Sequence, residues 1–308
     1  MGGFHLTARD GQIITAVGDH DLLSTTQLAR LFWGERPGSA EVSSRCRLRL
    51  RLLTAHGYLQ RIEQPVLRSE GRRPWLYTLG PVGADFLCQL REISRQELGW
   101  SATRARRSAL FLEHQLALSE TYVSLALATP TVGVDLADWI DDRQLRRDAD
   151  TVTFKDAAGV TQQMALVPDA FFQLRMGKRV LNHFVEIDRS TVTLLSGKPN
   201  TRTWQRKVRA YMAYYRSGDY ARRFGHTRSL RVLTLADTPA RALSMKAVAE
   251  AAGGGGRFWF ASARDATVEQ ILTASIWCKA GSGERLALLS QEALAAAVRA
   301  PESDEVDI

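Results

Sequence analysis

Residues 183–191 read HFVEIDRST. His183 to Ile187 is the apolar core of a strand, yet the run ends in Glu186, Asp188 and Arg189. Alternate residues of a strand share a face, so Glu186 and Asp188 point the same way. A second strand-like stretch, MALVPDAFFQLRM, precedes it and is broken at Pro168-Asp169, which brings Asp169 within reach of the pair. Three carboxylates gathered at a sheet edge repel one another unless a cation lies among them. Oxygen-only ligation suits Mg²⁺ or Mn²⁺, which can activate water against a phosphodiester. Asp169, Glu186 and Asp188 are therefore the candidate metal ligands.

Around this stretch, residues 109–265 alternate helical and strand patterns. ALFLEHQLALSETYVSLALA is a long helix, and TVGVDLADWI and TVTFKD are strands. RTWQRKVRAYMAYYRSG is a helix stopped at Gly218, SLRVLTLA a strand, ARALSMKAVAEAA a helix and RFWFASA a strand. This alternation of strands and helices predicts a mixed sheet flanked by helices. In the helix after HFVEIDRST, Trp204, Val208, Tyr211 and Tyr215 fall on one face, which must pack on the sheet. Lys207 borders that face and is expected to reach the carboxylates.

The first hundred residues have another character. LLSTTQLARLFWG starts a helix at Ser24 or Thr25 with Gln27 near the capping-box position. In SAEVSSRCRLRLRLLTAHGYL, the residues Val42, Cys46, Leu50 and Leu53 make one helix face, and Arg45, Arg47, Arg49 and Arg51 spread around the others. The helix stops at His56-Gly57. YLQRIEQ and RPWLYTL are short strands joined by VLRSEGRR, and PVGADFLCQLREI is a further helix. The pattern resembles a winged helix-turn-helix domain with residues 41–56 as its recognition helix. That resemblance implies duplex DNA as partner, contacted by Arg45, Arg47, Arg49 and Arg51 and, from the wing tip, by Arg68, Arg72 and Arg73.

Composition agrees with an anionic partner. Lys and Arg number 41 against 33 Asp and Glu, for a formal net charge of +8 and a pI near 9.7. The basic residues are mostly Arg; the first Lys is Lys155. Three scattered cysteines, Cys46, Cys88 and Cys278, build neither a disulfide framework nor a zinc site. No apolar run reaches membrane-spanning length, so a cytoplasmic protein without a membrane partner is expected. Neither G-x-x-x-x-G-K-[ST] nor G-x-G-x-x-G occurs, hence no nucleotide cofactor. No H-x-H pair accompanies Tyr211, Tyr214 and Tyr215, which argues against a tyrosine-dependent relaxase. The expected organisation is residues 1–95 as the winged domain, 96–108 as linker, 109–285 as the sheet domain and 286–308 as an acidic tail. The fold class is α/β with an α+β N-terminal domain.

The second domain resembles the PD-(D/E)xK, restriction-endonuclease-like nucleases. Pro168-Asp169 matches the PD half, and Glu186-Ile187-Asp188 falls at (D/E)xK with Asp188 in the lysine position. That family's lysine orients the attacking water; here Lys207 is the candidate replacement. Lys207 and Tyr211 also have the spacing of the Gln-xxx-Tyr motif of RecB-like nucleases, with Lys in place of Gln. A narrower resemblance covers about residues 8–265. LSTTQLARLFW, GYL, LEHQLAL, VPDAFF, VEIDRST and KVRAYMAYY together look like the replication-relaxation family of plasmids and other mobile elements. It implies a mobile-element DNA-binding protein, with a homodimer left open. The nuclease-like domain is then either a non-catalytic scaffold or a Mg-dependent endonuclease using Asp169, Glu186, Asp188 and Lys207.

Overall fold

The computed structural model describes residues 4–35, 42–62, 64, 73–102, 108–196, 198, 201–225 and 229–299. Arg68 and Arg72 lie outside them, as do most of the segment joining the two short strands and PESDEVDI. The chain is mixed α/β and divides into two compact units, Met1–Val123 and Ser124–Ile308.

In the first unit, helix α1 (Ala8–His20) is followed by strand β1 (Leu23–Ser24), α2 (Thr25–Trp33), α3 (Ser44–Ala55), β2 (Leu59–Ile62), β3 (Leu76–Leu79) and α4 (Pro81–Arg91). Local chemistry fixes the helix starts. The Ser24 hydroxyl accepts from the Gln27 amide, and the Gln27 side chain accepts from the Ser24 amide at 2.8 Å, a complete capping box. Thr7 and Asp10 form the same device at α1. The strands make an antiparallel sheet in the order β1-β3-β2. Cys46, Leu50 and Leu53, the buried stripe of α3, join Ile13, Ile14, Val17 and Leu28 among the buried residues. Gly83 brings α4 close to β2, because a Cβ there would run into the Tyr58 carbonyl.

The stretch expected to be a linker opens as structure. Helix α5 (Arg95–Leu98) is capped by Ser94, and the Trp100 indole donates to the Leu79 carbonyl at 3.0 Å. The next helix, α6 (Ala109–Ala128), spans the boundary between units, which falls at Val123 instead of at residue 108. The polar residues of its first part explain this. Gln115 donates to the His20 carbonyl at 3.0 Å, Ser119 to that of Leu22 at 2.7 Å, and Glu120 accepts from Arg30 and Gln27.

The second unit holds a seven-stranded mixed sheet. In chain order come β4 (Asp135–Asp141), α7 (Asp142–Arg147), β5 (Thr151–Lys155), β6 (Thr161–Ala165), β7 (Ala170–Met176), β8 (Arg179–Asp188), α8 (Trp204–Ser217), α9 (Asp219–Phe224), β9 (Leu230–Ala236), α10 (Pro239–Ala251), β10 (Phe258–Ser262), β11 (Trp277–Lys279), β12 (Arg285–Leu286) and α11 (Gln291–Arg299). The sheet order is β12-β11-β10-β9-β8-β7-β4. β7 and β8 form an antiparallel hairpin, while β8, β9 and β10 run parallel, connected through α8 and α10. Phe171, Phe184, Val232, Phe258 and Phe260 share one buried cluster with Trp204, Val208 and Tyr211 of α8 and Met245 of α10.

Three expectations need correction. The MALVPDAFFQLRM stretch is not one broken strand: β6 pairs with β5 in a separate two-stranded sheet, and β7 opens the main hairpin after Pro168-Asp169. Residues 286–308 are not all tail, since α11 (Gln291–Arg299) lies there. Helix α9 was also missed, because DYARRF is too short to carry a readable period.

Candidate functional site

The β7–β8 hairpin sets the centre of the site. Ala170 pairs with Val185, which brings Asp169 opposite Glu186. The Asp169 amide donates to the Val185 carbonyl at 3.0 Å, and the Asp169 carboxylate accepts from the Ile187 amide at 2.7 Å. The proline before Asp169 ends one segment and the hairpin begins the next, so the carboxylate is held by backbone at the strand's start. Glu186 is two residues from Phe184 and faces the same buried layer, beneath α8.

Helix α8 reaches Glu186 with two side chains one turn apart. The Lys207 ammonium donates to Oε2 at 2.5 Å, and the Tyr211 hydroxyl donates to Oε1. Burial pushes the Glu186 carboxyl up to about 7; the Asp169 charge adds to this and Lys207 opposes it. Burial by itself would lower the Lys207 ammonium, but Glu186 and Asp169 more than offset it and hold Lys207 above its ordinary range. Tyr211 is raised well above 10, by burial and then by Glu186. Tyr214 donates to Asp150 and is also raised, so neither phenol is a ready nucleophile.

Asp142, the first residue of α7, adds a further carboxylate. Its pKa is raised, first by burial and then by Asp141 and Asp169, while Arg146 counters from 3.1 Å. Asp188 goes elsewhere. It is 2% exposed and receives the guanidinium of Arg241 from α10, with Nε to Oδ2 at 2.6 Å and Nη2 to Oδ1 at 3.3 Å. Arg189 turns to Asp237 at 2.5 Å. Among the described residues, no group of three or more His, Cys, Asp or Glu could hold a metal ion. Asp169 and Glu186 remain adjacent oxygen donors, but Asp188 is neutralised by Arg241 and does not complete a three-carboxylate set.

In the first unit, α3 divides its arginines. Arg45, Arg47 and Arg51 are exposed. Arg49 is drawn inward: Nε donates to Asp10 Oδ1 at 2.6 Å, Nη2 to Asp10 Oδ2 and to the His5 carbonyl at 2.6 Å, and its guanidinium lies 5.0 Å from the Phe4 ring centre. Arg73 is half-buried.

Several site residues escaped the sequence reading. Asp142 and Arg146 stand in WIDDRQLRR, where a strand ends in paired acids at a helix start, a legible anion-rich cap. Arg241 and Asp10 gave no local signal, since each meets its partner across a long stretch of chain. Glu120 of α6 is bound to Arg30 and Gln27 in the first unit. His183 is fully buried and stacked on Phe172 at 4.7 Å, a core histidine held well below its ordinary pKa by burial. None of the described helices is long and apolar enough to cross a membrane.

A sequence model described as replication-relaxation matches residues 14–230, more than half of the chain. No curated protein and no solved structure gives a significant match.

Proposed function

Since the chain belongs to the replication-relaxation family, we propose that it is a DNA-binding protein of a plasmid or other mobile element, acting in replication of that element. In this reading residues 1–95 form a winged helix-turn-helix domain whose helix α3 enters the major groove. The second unit is a PD-(D/E)xK-like domain serving as a scaffold. The observation that carries the reading is the face of α3. Arg45, Arg47 and Arg51 are exposed, and no ion pair engages them among the described residues; the helix itself contains no acidic residue. Such a face attracts phosphates and releases their counterions. The net charge of +8 works in the same direction.

The test is duplex binding across a salt series. Affinity should fall steeply with salt, and Arg45→Ala with Arg47→Ala should reduce the log–log slope by about 1.8, at about 0.9 per lost phosphate contact. An unchanged slope would remove α3 from the DNA interface.

A second reading is favoured by one arrangement: Lys207 and Tyr211 of α8 on Glu186, with Asp169 alongside. It restores an Asp-Glu-Lys set although Asp188 stands at the strand position. As an endonuclease site, Asp169 and Glu186 would hold Mg²⁺ or Mn²⁺, which would supply an activated water. Lys207 would keep Glu186 oriented and offset charge on the attacked phosphate. Incubation with supercoiled plasmid and Mg²⁺ or Mn²⁺ decides it: relaxation or linearisation by wild type but not by Glu186→Ala supports the endonuclease, and intact plasmid with both leaves the scaffold reading.

A further inference from the structure

The exposed face of α3 is not uniformly basic. Cys46, Leu50 and Leu53 are fully buried and define the inward direction of the helix. At about 100° per residue, the line opposite that direction runs through Ser44, Leu48, Arg51 and Ala55. Arg45 and Arg47 then lie on the two flanks, roughly 160° apart around the axis. Leu48 thus sits at the centre of the outer ridge, 47% exposed, between cations. Arg45, Arg47 and Arg51 are exposed and, among the described residues, enter no ion pair.

A helix in the major groove turns its outer ridge to the base edges and its flanks to the two phosphate strands. Polar and charged side chains serve the flanks well. A leucine at the ridge serves one base feature, the thymine 5-methyl, which is the apolar group displayed in that groove. Arg51, three residues on, is the ridge residue able to grip guanine O6 and N7 together. The rise from Leu48 to Arg51 is about 4.5 Å, or one to two base-pair steps at about 3.4 Å.

We propose that Leu48 and Arg51 are the base-reading residues of α3, Leu48 packing on a thymine methyl and Arg51 on a guanine one or two base pairs away, with Arg45 and Arg47 holding the flanking phosphates. This rests on the DNA-binding reading above. Ser44 and Ala55 end the ridge and allow the helix to lie close to the bases.

The test starts from selection on a randomised duplex library with the full chain. Wild type should enrich a thymine and a guanine at that spacing. Leu48→Ala, which keeps a helix-favouring residue at an exposed site, should lose the thymine preference alone, and Arg51→Ala the guanine preference alone. On the selected site, replacing that thymine by deoxyuridine should weaken wild type about fourfold, the worth of one buried methyl, and leave Leu48→Ala unchanged. Equal uracil penalties in both proteins, or a library that enriches no sequence, overturn the assignment while DNA binding stands. If the Arg45→Ala, Arg47→Ala double variant binds duplex as tightly and as salt-dependently as wild type, the DNA-binding face itself is wrong, and Leu48 falls with it.

Discussion

Arg49→Ala should destabilise the first unit, although its neighbours Arg45 and Arg47 can be removed without cost to folding. Asp10 explains the difference. Its side chain is fully buried, while Arg49 keeps 23% exposure. The carboxylate accepts from the Thr7 amide at 2.6 Å, the Thr7 hydroxyl at 2.7 Å and the Arg49 guanidinium through both oxygens. Breaking a fully buried ion pair by removing one partner costs about 3–5 kcal/mol. Here the figure is smaller, because Thr7 and the α1 N-terminus still favour the charge and Arg49 is partly solvated. About 2 kcal/mol is expected, which is about a thirtyfold loss of amide protection if α1 and α3 open together.

Urea unfolding combined with hydrogen exchange localised to α1 and α3 measures it. The pH dependence makes the reasoning sharper. Burial would raise Asp10, but hydrogen bonds from Arg49 and Thr7 outweigh it and hold the pKa below its ordinary 3.8. A depressed carboxyl contributes stability above its unfolded pKa, and that contribution is lost as pH falls through the folded value. The Arg49→Ala penalty should therefore be full at pH 7 and shrink below about pH 4. Arg49→Ala unfolding with wild type at neutral pH, or a penalty unchanged by acid, would refute the account. The same result would return Arg49 to the list of residues free to contact DNA.

Two further outcomes follow from the second unit. Glu186 is raised to about 7, so its contribution is present below the unfolded carboxyl value and is lost as pH rises towards and through 7; the stability of wild type relative to Glu186→Gln should fall between about pH 4.5 and 8, by on the order of 3 kcal/mol, and a flat difference in urea midpoints over that range would sink it. Arg241→Ala leaves Asp188 buried and unpaired and should cost about 3 kcal/mol, whereas Arg241→Ala with Asp188→Ala should cost clearly less than the sum of the single changes in thermal melts.

What could be read from the sequence is what depends on local period and spacing. The Ser24–Gln27 cap, the buried stripe of α3 and the β8 strand with two same-face carboxylates were legible because each is fixed within a few residues. Lys207 was legible as well: a helix that buries Trp204, Val208 and Tyr211 on the sheet carries its bordering lysine towards that sheet. Partners chosen by tertiary packing were not. Arg49 looked like one of four equivalent arginines, yet it stands beside the buried stripe and meets Asp10 across 39 residues. Alternation in TVTFKD marked a strand, but alternation does not say which sheet a strand joins, and this one pairs apart from the main sheet.

The fate of Asp188 shows how the site differs from the arrangement expected of it. Three acids lie on the β7–β8 hairpin, Asp169 just before β7 and Glu186 and Asp188 at the end of β8, and two cations, Lys207 and Arg241, come from the two crossover helices. Arg241 of α10 belongs to Asp188, which stands where the nuclease resemblance expects a lysine, and Lys207 of α8 belongs to Glu186. Asp142 and Arg146 balance each other at the side. One negative charge is left over between Asp169 and Glu186, in surroundings too poorly solvated to carry it cheaply. A proton on Glu186 removes that charge, which is why its carboxyl is pushed to about 7. A divalent cation would remove it equally well and would expel the proton. The two readings of the domain therefore predict opposite things for one observable: as a scaffold, Glu186 keeps its raised pKa in the presence of Mg²⁺ or Mn²⁺; as a metal site, it loses it.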